Sequence, residues 1–212
     1  MTLPAHGWTV VVPVKGGPDA KSRLAGHVAD GARRALADAL AGDTLEAVLA
    51  TPSVGCVVVV TNDVRLVPEP GGSGPRVVHV GDPGLGLGAA VRAGLDAAPV
   101  GPTAVLLGDL PALRATDLDA VLVDASGYER GFVPDAEGTG TTLLTGRSPA
   151  HLRPRFGPGS ASAHREAGHV PLDARPSLRQ DVDTAADLDG AAVLGVGPRT
   201  SAFLARADER AS

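Results

Sequence analysis

Four Val/Leu-rich runs, at residues 8–14, 55–61, 76–80 and 103–107, are each about as long as a β-strand and are bounded by Gly, Pro or Asp. Their apolar character is continuous rather than alternating. That is the pattern of strands buried on both faces, and it points to a mostly parallel sheet covered on each side by helices. Aromatic residues make up only 2% of the chain, so aliphatic side chains must fill the core. With 28 glycines and 18 prolines, turns and loops must be frequent.

Amphipathic stretches separate these runs. Residues 28–50 carry Leu36, Leu40 and Val48 at near-helical spacing. Residues 88–98 and 116–125 read as shorter helices, the second with Thr116 and Asp117 as its start signal. The order β-α-β-β-α-β-α predicts a doubly wound, three-layer α/β/α sandwich. Further on, 131–134 and 141–145 read as strands, 160–168 as a short helix and 170–172 as a strand. Residues 184–194 and 200–209 are the closing helices, and 68–75 form a surface loop. No internal repeat or linker interrupts the 212 residues, which predicts a single domain over 1–212.

The charge balance narrows the function classes. With 24 acidic and 19 basic residues the net charge is -5, and the basic footprint of a nucleic-acid binder is missing. No apolar run approaches the roughly 20 residues of a membrane span, and the first residues do not read as a signal peptide. The lone Cys56 cannot form an intramolecular disulfide, which fits a reducing cytoplasm. The glycine-rich second half could supply a dimer edge.

Several familiar motifs fail on spacing. A P-loop needs glycine directly before the lysine and another five residues earlier, where this chain has Ala20 and Lys15. The Gly84-Leu85-Gly86-Leu87-Gly88 run is misspaced for a dinucleotide fingerprint. His164 and His169 are five apart rather than four, and no cysteine pair supports zinc. Gly-x-Ser-x-Gly is absent, so a hydrolase elbow has no support.

Other features survive. Only two of the 19 basic residues are lysines, and both fall in Lys15-Gly16-Gly17-Pro18-Asp19-Ala20-Lys21-Ser22-Arg23, directly after the first strand. Ligands of doubly wound sheets bind at that carboxyl edge, and the three cations Lys15, Lys21 and Arg23 suit a triphosphate. The fourth strand ends in Gly108-Asp109-Leu110-Pro111, which puts a carboxylate at the same edge. Mg²⁺ takes one or two protein carboxylates plus phosphate oxygens. A second acidic segment is Asp181-Val182-Asp183-Thr184, where Asp183 or Thr184 would cap the next helix while another carboxylate reaches the metal. Two Gly/hydroxyl segments, Gly138-Thr139-Gly140-Thr141-Thr142 and Phe156-Gly157-Pro158-Gly159-Ser160-Ala161-Ser162-Ala163-His164, could cradle an anion; the second does so at a helix start. Each feature also has an ordinary reading as a solvated turn or helix cap.

Taken in order, Val-Pro-Val-Lys, Lys-Ser-Arg-Leu, Gly-Asp-Leu-Pro, Gly-Thr-Gly-Thr-Thr, Phe-Gly-Pro-Gly-Ser and Asp-Val-Asp-Thr closely resemble the guanylyltransferases of coenzyme F-420 biosynthesis, which act on 2-phospho-L-lactate or phosphoenolpyruvate. The resemblance spans roughly residues 9–190. It implies a glycosyltransferase-A-like nucleotidyltransferase fold with a mostly parallel mixed sheet, GTP as donor, a phosphorylated three-carbon acid as acceptor, and Mg²⁺ as cofactor. Carried over by position, Asp109 and Asp183 would hold the metal and Thr142, Gly157 and Ser160 the acceptor. Lys15, Gly16, Lys21 and Arg23 would meet the GTP phosphates, with Gly84 and Gly88 flanking the base. The chain departs from its relatives at Gly86, where asparagine is usual, and at Thr141, where asparagine is common. The resemblance also implies in-line attack of the acceptor phosphate on the α-phosphorus of GTP, a reaction needing no protein nucleophile.

Two alternatives stand beside this one. A cytidylyltransferase of molybdopterin metabolism or a sugar-1-phosphate nucleotidyltransferase would share the fold, but those usually begin with Leu-Ala-Gly-Gly rather than Val12-Pro13-Val14-Lys15. A non-catalytic nucleotide-binding module would use the acidic residues only as caps.

Overall fold

The structure is a computed structural model that describes residues 7–14, 30–69 and 74–211. Seven strands form one sheet in the order β3-β2-β1-β4-β6-β5-β7. They are β1 (Trp8–Pro13), β2 (Val54–Val60), β3 (Arg76–Val80), β4 (Thr103–Leu106), β5 (Arg130–Pro134), β6 (Thr141–Gly146) and β7 (Val170–Pro171). β1 pairs in parallel with both β2 and β4, and β2 with β3. β6 runs antiparallel to β4 and β5, so the sheet is mixed but mostly parallel, as expected.

The helices are α1 (Asp30–Leu49), α2 (Leu87–Ala97), α3 (Ala115–Ala125), α4 (Ser160–Glu166), α5 (Pro176–Arg179), α6 (Ala185–Leu194) and α7 (Pro198–Ala211). Strand alternation sends Val10, Val12, Val57, Val59 and Leu106 to one face, where they pack on Leu45 and Val48 of α1 and on Leu118 and Leu122 of α3. Val11, Val58, Val60 and Val105 point to the other face, against Ala90 and Val91 of α2 and Ala161 of α4. The result is the three-layer arrangement. A third apolar cluster joins Leu36 and Leu40 of α1 to Val182, Leu188 and Ala191, with Phe203 and Leu204 of α7 against it. Among the described residues, no helix is long and apolar enough to cross a membrane.

Three expectations need correction. β3 is not buried on both faces: it is a sheet edge, and Arg76 and His79 are exposed. Thr116 does not start α3. The cap position is Arg114, and Asp117 in the first turn instead accepts a 2.6 Å hydrogen bond from the Ser177 hydroxyl. The short α5 escaped notice because Pro-Ser-Leu-Arg is too brief to show helical periodicity.

The geometry that positions the site is the close approach of β4 to β1. A Cβ on Gly108 would lie 2.9 Å from the Pro13 carbonyl oxygen and 3.1 Å from Val14 Cγ2. Only glycine lets the two strand ends lie side by side. Gly108→Ala is therefore expected to lower unfolding free energy by about 1–3 kcal/mol, the usual cost of overpacking. Urea denaturation measures it, and a midpoint equal to that of the unsubstituted chain would refute the steric account.

Candidate active site

β1 connects onward to β2 on one side, whereas β4 lies on its other side, so the sheet changes direction between β1 and β4. In open α/β sheets the ligand crevice forms outside the carboxyl ends of the strands at such a point. Asp109 lies three residues beyond β4, at that edge. Its segment is fixed from two sides. The Leu110 N–H donates to the buried Thr44 hydroxyl at 3.0 Å, and that hydroxyl donates to Leu40 O at 2.8 Å. From the other side, Val182 N–H donates to the Asp109 carbonyl at 3.1 Å.

That last bond unites the two acidic segments. Val182 is fully buried in the third apolar cluster, which leaves Asp181 and Asp183 flanking an anchored residue. Of the two capping candidates, Thr184 caps α6. Its hydroxyl accepts from Asp187 N–H, and the Asp187 carboxylate accepts from Thr184 N–H at 2.7 Å in a reciprocal capping box. Asp183 N–H also donates to Asp187, at 3.1 Å. The cap is thus built from Thr184 and Asp187, not from the Asp183 carboxylate.

The carboxylates crowd one another. Burial pushes the Asp181 carboxyl up to about 7, helped by the negative charges of Asp109, Asp183 and Asp135. A divalent cation would relieve this repulsion, so the donor set suits a hard metal ion. No three His, Cys, Asp or Glu side chains among the described residues are arranged to hold a metal between them. Mg²⁺ in general takes only one or two protein carboxylates and shares the rest of its shell with substrate phosphates and water.

Two of the helices are preceded by glycine loops with open fronts. Gly84 (φ 74°) and Gly86 (φ 90°) precede α2, and Gly157 (φ 134°) and Gly159 (φ 71°) precede α4. A Cβ at any of them, or at Gly88, would meet nothing within 4 Å, so a ligand has room to approach the backbone. Ser160 is buried at the start of α4. Because α4 has only seven residues, its dipole adds little; the loop backbone is the larger asset. The Thr142 hydroxyl is fully buried and donates to Leu178 O at 2.7 Å, tying β6 to α5. Lys15, Gly16, Lys21 and Arg23 lie outside the described residues.

One residue of this neighbourhood has no role assigned from the sequence. His164, fully buried on α4, joins both Gly/hydroxyl loops: Arg155 N–H donates to its Nε2 at 2.8 Å, and its Nδ1 lies 2.8 Å from Thr141 Oγ1. The sequence weighed it only as a metal ligand, although its i, i+4 spacing from Ser160 already put both on one helix face. Burial, with His169 and Arg155 nearby, pushes its imidazole down to about 4 from an ordinary 6.5. The folded protein then binds fewer protons than the unfolded chain between these values, so stability falls as pH drops from about 6.5 towards 4. At pH 4.5 this group is expected to cost about 2 kcal/mol. Urea midpoints from pH 7 to 4.5 should decline less steeply in His164→Gln; an unchanged slope would contradict the assignment.

Comparison with known proteins places the chain in a family. Residues 22–194 match the family described as the MobA-like NTP transferase domain. A phosphoenolpyruvate guanylyltransferase of Streptomyces coelicolor is 50% identical over 205 residues, covering 94% of this chain and 96% of that one. One from Salinispora arenicola is 51% identical over 197 residues, covering 92% of each. Among solved structures, a nucleotide-diphospho-sugar transferase assigned in Desulfovibrio desulfuricans superposes with a TM-score of 0.62 at 18% identity, over 95% of both chains. A 2-C-methyl-D-erythritol 4-phosphate cytidylyltransferase from Francisella tularensis superposes at 0.59 and 12% identity, over 89% of this chain and 99% of that one. At such identities these two speak for the fold alone.

Proposed function

The chain belongs to the phosphoenolpyruvate guanylyltransferases of the MobA-like NTP transferase family, and we propose that it transfers GMP from GTP to a phosphorylated three-carbon acid, phosphoenolpyruvate or 2-phospho-L-lactate, releasing pyrophosphate. The product is the enolpyruvyl- or lactyl-diphosphoguanosine of coenzyme F-420 biosynthesis. The observation that carries this reading is the union of Asp109 with the 181–183 segment at the crevice edge, in a chain half identical to enzymes of that name.

The chemistry is a displacement at the α-phosphorus of GTP by an acceptor phosphate oxygen. That phosphate has a second pKa of about 6, so it is largely a dianion at neutral pH and needs no strong protein base. The obstacle is repulsion between polyanions: two unit charges about 4 Å apart cost roughly 4 kcal/mol at an effective dielectric near 20. Asp109 and Asp183 would hold Mg²⁺, which when bound supplies charge neutralisation at the reacting phosphate. Lys15, Lys21 and Arg23 stabilise the negative charge gathering on the departing pyrophosphate. Gly157 and Ser160 hold the acceptor, and much of the acceleration comes from orientation rather than covalent chemistry. Gly84 and Gly88 line the approach of the nucleoside.

Asp109→Asn should lower turnover at least about a hundredfold, the scale of losing a main electrostatic stabiliser, while leaving the unfolding free energy from urea denaturation within about 0.5 kcal/mol of the unsubstituted chain. Near-normal turnover would remove Asp109 from the mechanism. The reading as a whole is tested by pyrophosphate release with Mg²⁺, the common nucleoside triphosphates and a panel of phosphorylated acids. Release with GTP and a three-carbon acid is expected. Release only with CTP or a sugar phosphate would replace this function with a related one.

A further inference from the structure

We propose that His164 is a positioning residue for the acceptor, a neutral imidazole whose two ring nitrogens lock the Gly138–Thr142 loop and the Phe156–Ser160 loop into one pocket wall. The proposal rests on the acceptor assignment above. Its geometry is independent of that assignment.

The two loops come from distant parts of the chain and would otherwise share few bonds. The Ala161 N–H donates to Thr139 O at 3.0 Å, which is a single backbone tether. His164 adds the side-chain tie. Arg155, whose N–H it accepts, immediately precedes Phe156 and Gly157; Thr141, at its other nitrogen, immediately precedes Thr142. Because an amide N–H can only donate, Nε2 must present its lone pair. The ring proton of the neutral form therefore sits on Nδ1 and donates to Thr141 Oγ1. The tautomer is set by the protein rather than left to chance.

The ring cannot turn away. The Phe156 ring stands edge-on at 5.2 Å between centroids, His169 edge-on at 5.7 Å, and Phe132 tilted at 6.0 Å. A second proton, on Nε2, would confront the Arg155 N–H, and the charge would be buried beside His169 and Arg155. Neutrality thus preserves both ties, and depression of the imidazole pKa agrees with it. Asp135 completes the first loop. Its carboxylate accepts from Thr139 N–H at 2.9 Å and from Gly140 N–H at 2.7 Å, while Arg179 donates to the Asp135 carbonyl at 2.8 Å. The loop is held at its tip by Asp135 and at its base by His164.

A residue serving only the core would affect stability and leave the two substrates equally served. A positioning residue separates them. His164→Ala, His164→Gln and His164→Asn should raise the acceptor KM, by about tenfold for alanine, the scale of one lost buried hydrogen bond, with the GTP KM changed by less than about twofold. Glutamine, whose amide oxygen can reach the Arg155 N–H, should recover part of the loss. Long-range ¹H–¹⁵N correlation on the unsubstituted protein at pH 7 reads the tautomer directly and does not depend on any variant folding. A proton on Nδ1 alone is expected; one on Nε2 overturns the proposal. Equal changes in both KM values, or no change, also overturn it. Absence of turnover by the unsubstituted protein with every acceptor instead sinks the functional reading, and this role with it.

Discussion

The end of β4 lies against the end of β1 because residue 108 has no side chain, and the rest of the site depends on that contact. With its position under the Pro13 carbonyl closed to any Cβ, Gly108 delivers Asp109 to the point where the sheet changes direction. The basic segment that begins at Lys15 follows β1 directly in sequence. Around this contact, backbone hydrogen bonds fasten the segment that carries Asp109. Thr44 takes the Leu110 N–H, and Val182 supplies an N–H to the Asp109 carbonyl.

The same device recurs in the second acidic segment. Val182 is buried among leucines and alanines of α1 and α6, and the flanking Asp181 and Asp183 are carried with it. Packing of an apolar residue sets the place of two charged ones. The charges then disfavour each other, as the raised Asp181 carboxyl records. Like charges held together by hydrophobic burial are what a bound cation would offset. The proposed guanylyl transfer would use that arrangement where two polyanions meet.

Much of this was legible in the sequence, and the limits have physical causes. Continuous Val/Leu runs located β1, β2 and β4 to within a residue or so because burial on both faces leaves no other pattern. β3 (Arg-Val-Val-His-Val) lies at the edge: its three valines resemble the other runs, while Arg76 and His79 are exposed there. The Gly-Asp-Leu-Pro and Asp-Val-Asp-Thr segments could be singled out by composition, but their union depends on a backbone bond between residues 109 and 182, which no local pattern encodes. The loops before α2 and α4 were read from their glycines, and the positive φ angles show why glycine stands there. Thr142 and His164 were harder. The first turned out to spend its hydroxyl on Leu178, and the second was tested only for metal spacing, although its partners are a backbone N–H and a threonine hydroxyl.

The central claim is that an acceptor phosphate oxygen attacks the α-phosphorus of GTP. Phosphoenolpyruvate labelled with ¹⁸O in its non-bridging phosphate oxygens tests it directly, with mass spectrometry of both products. The account predicts that all of the label stays in the guanosine-containing product and none reaches pyrophosphate. Label in the pyrophosphate, or GDP formed by transfer of the terminal phosphate, would contradict it.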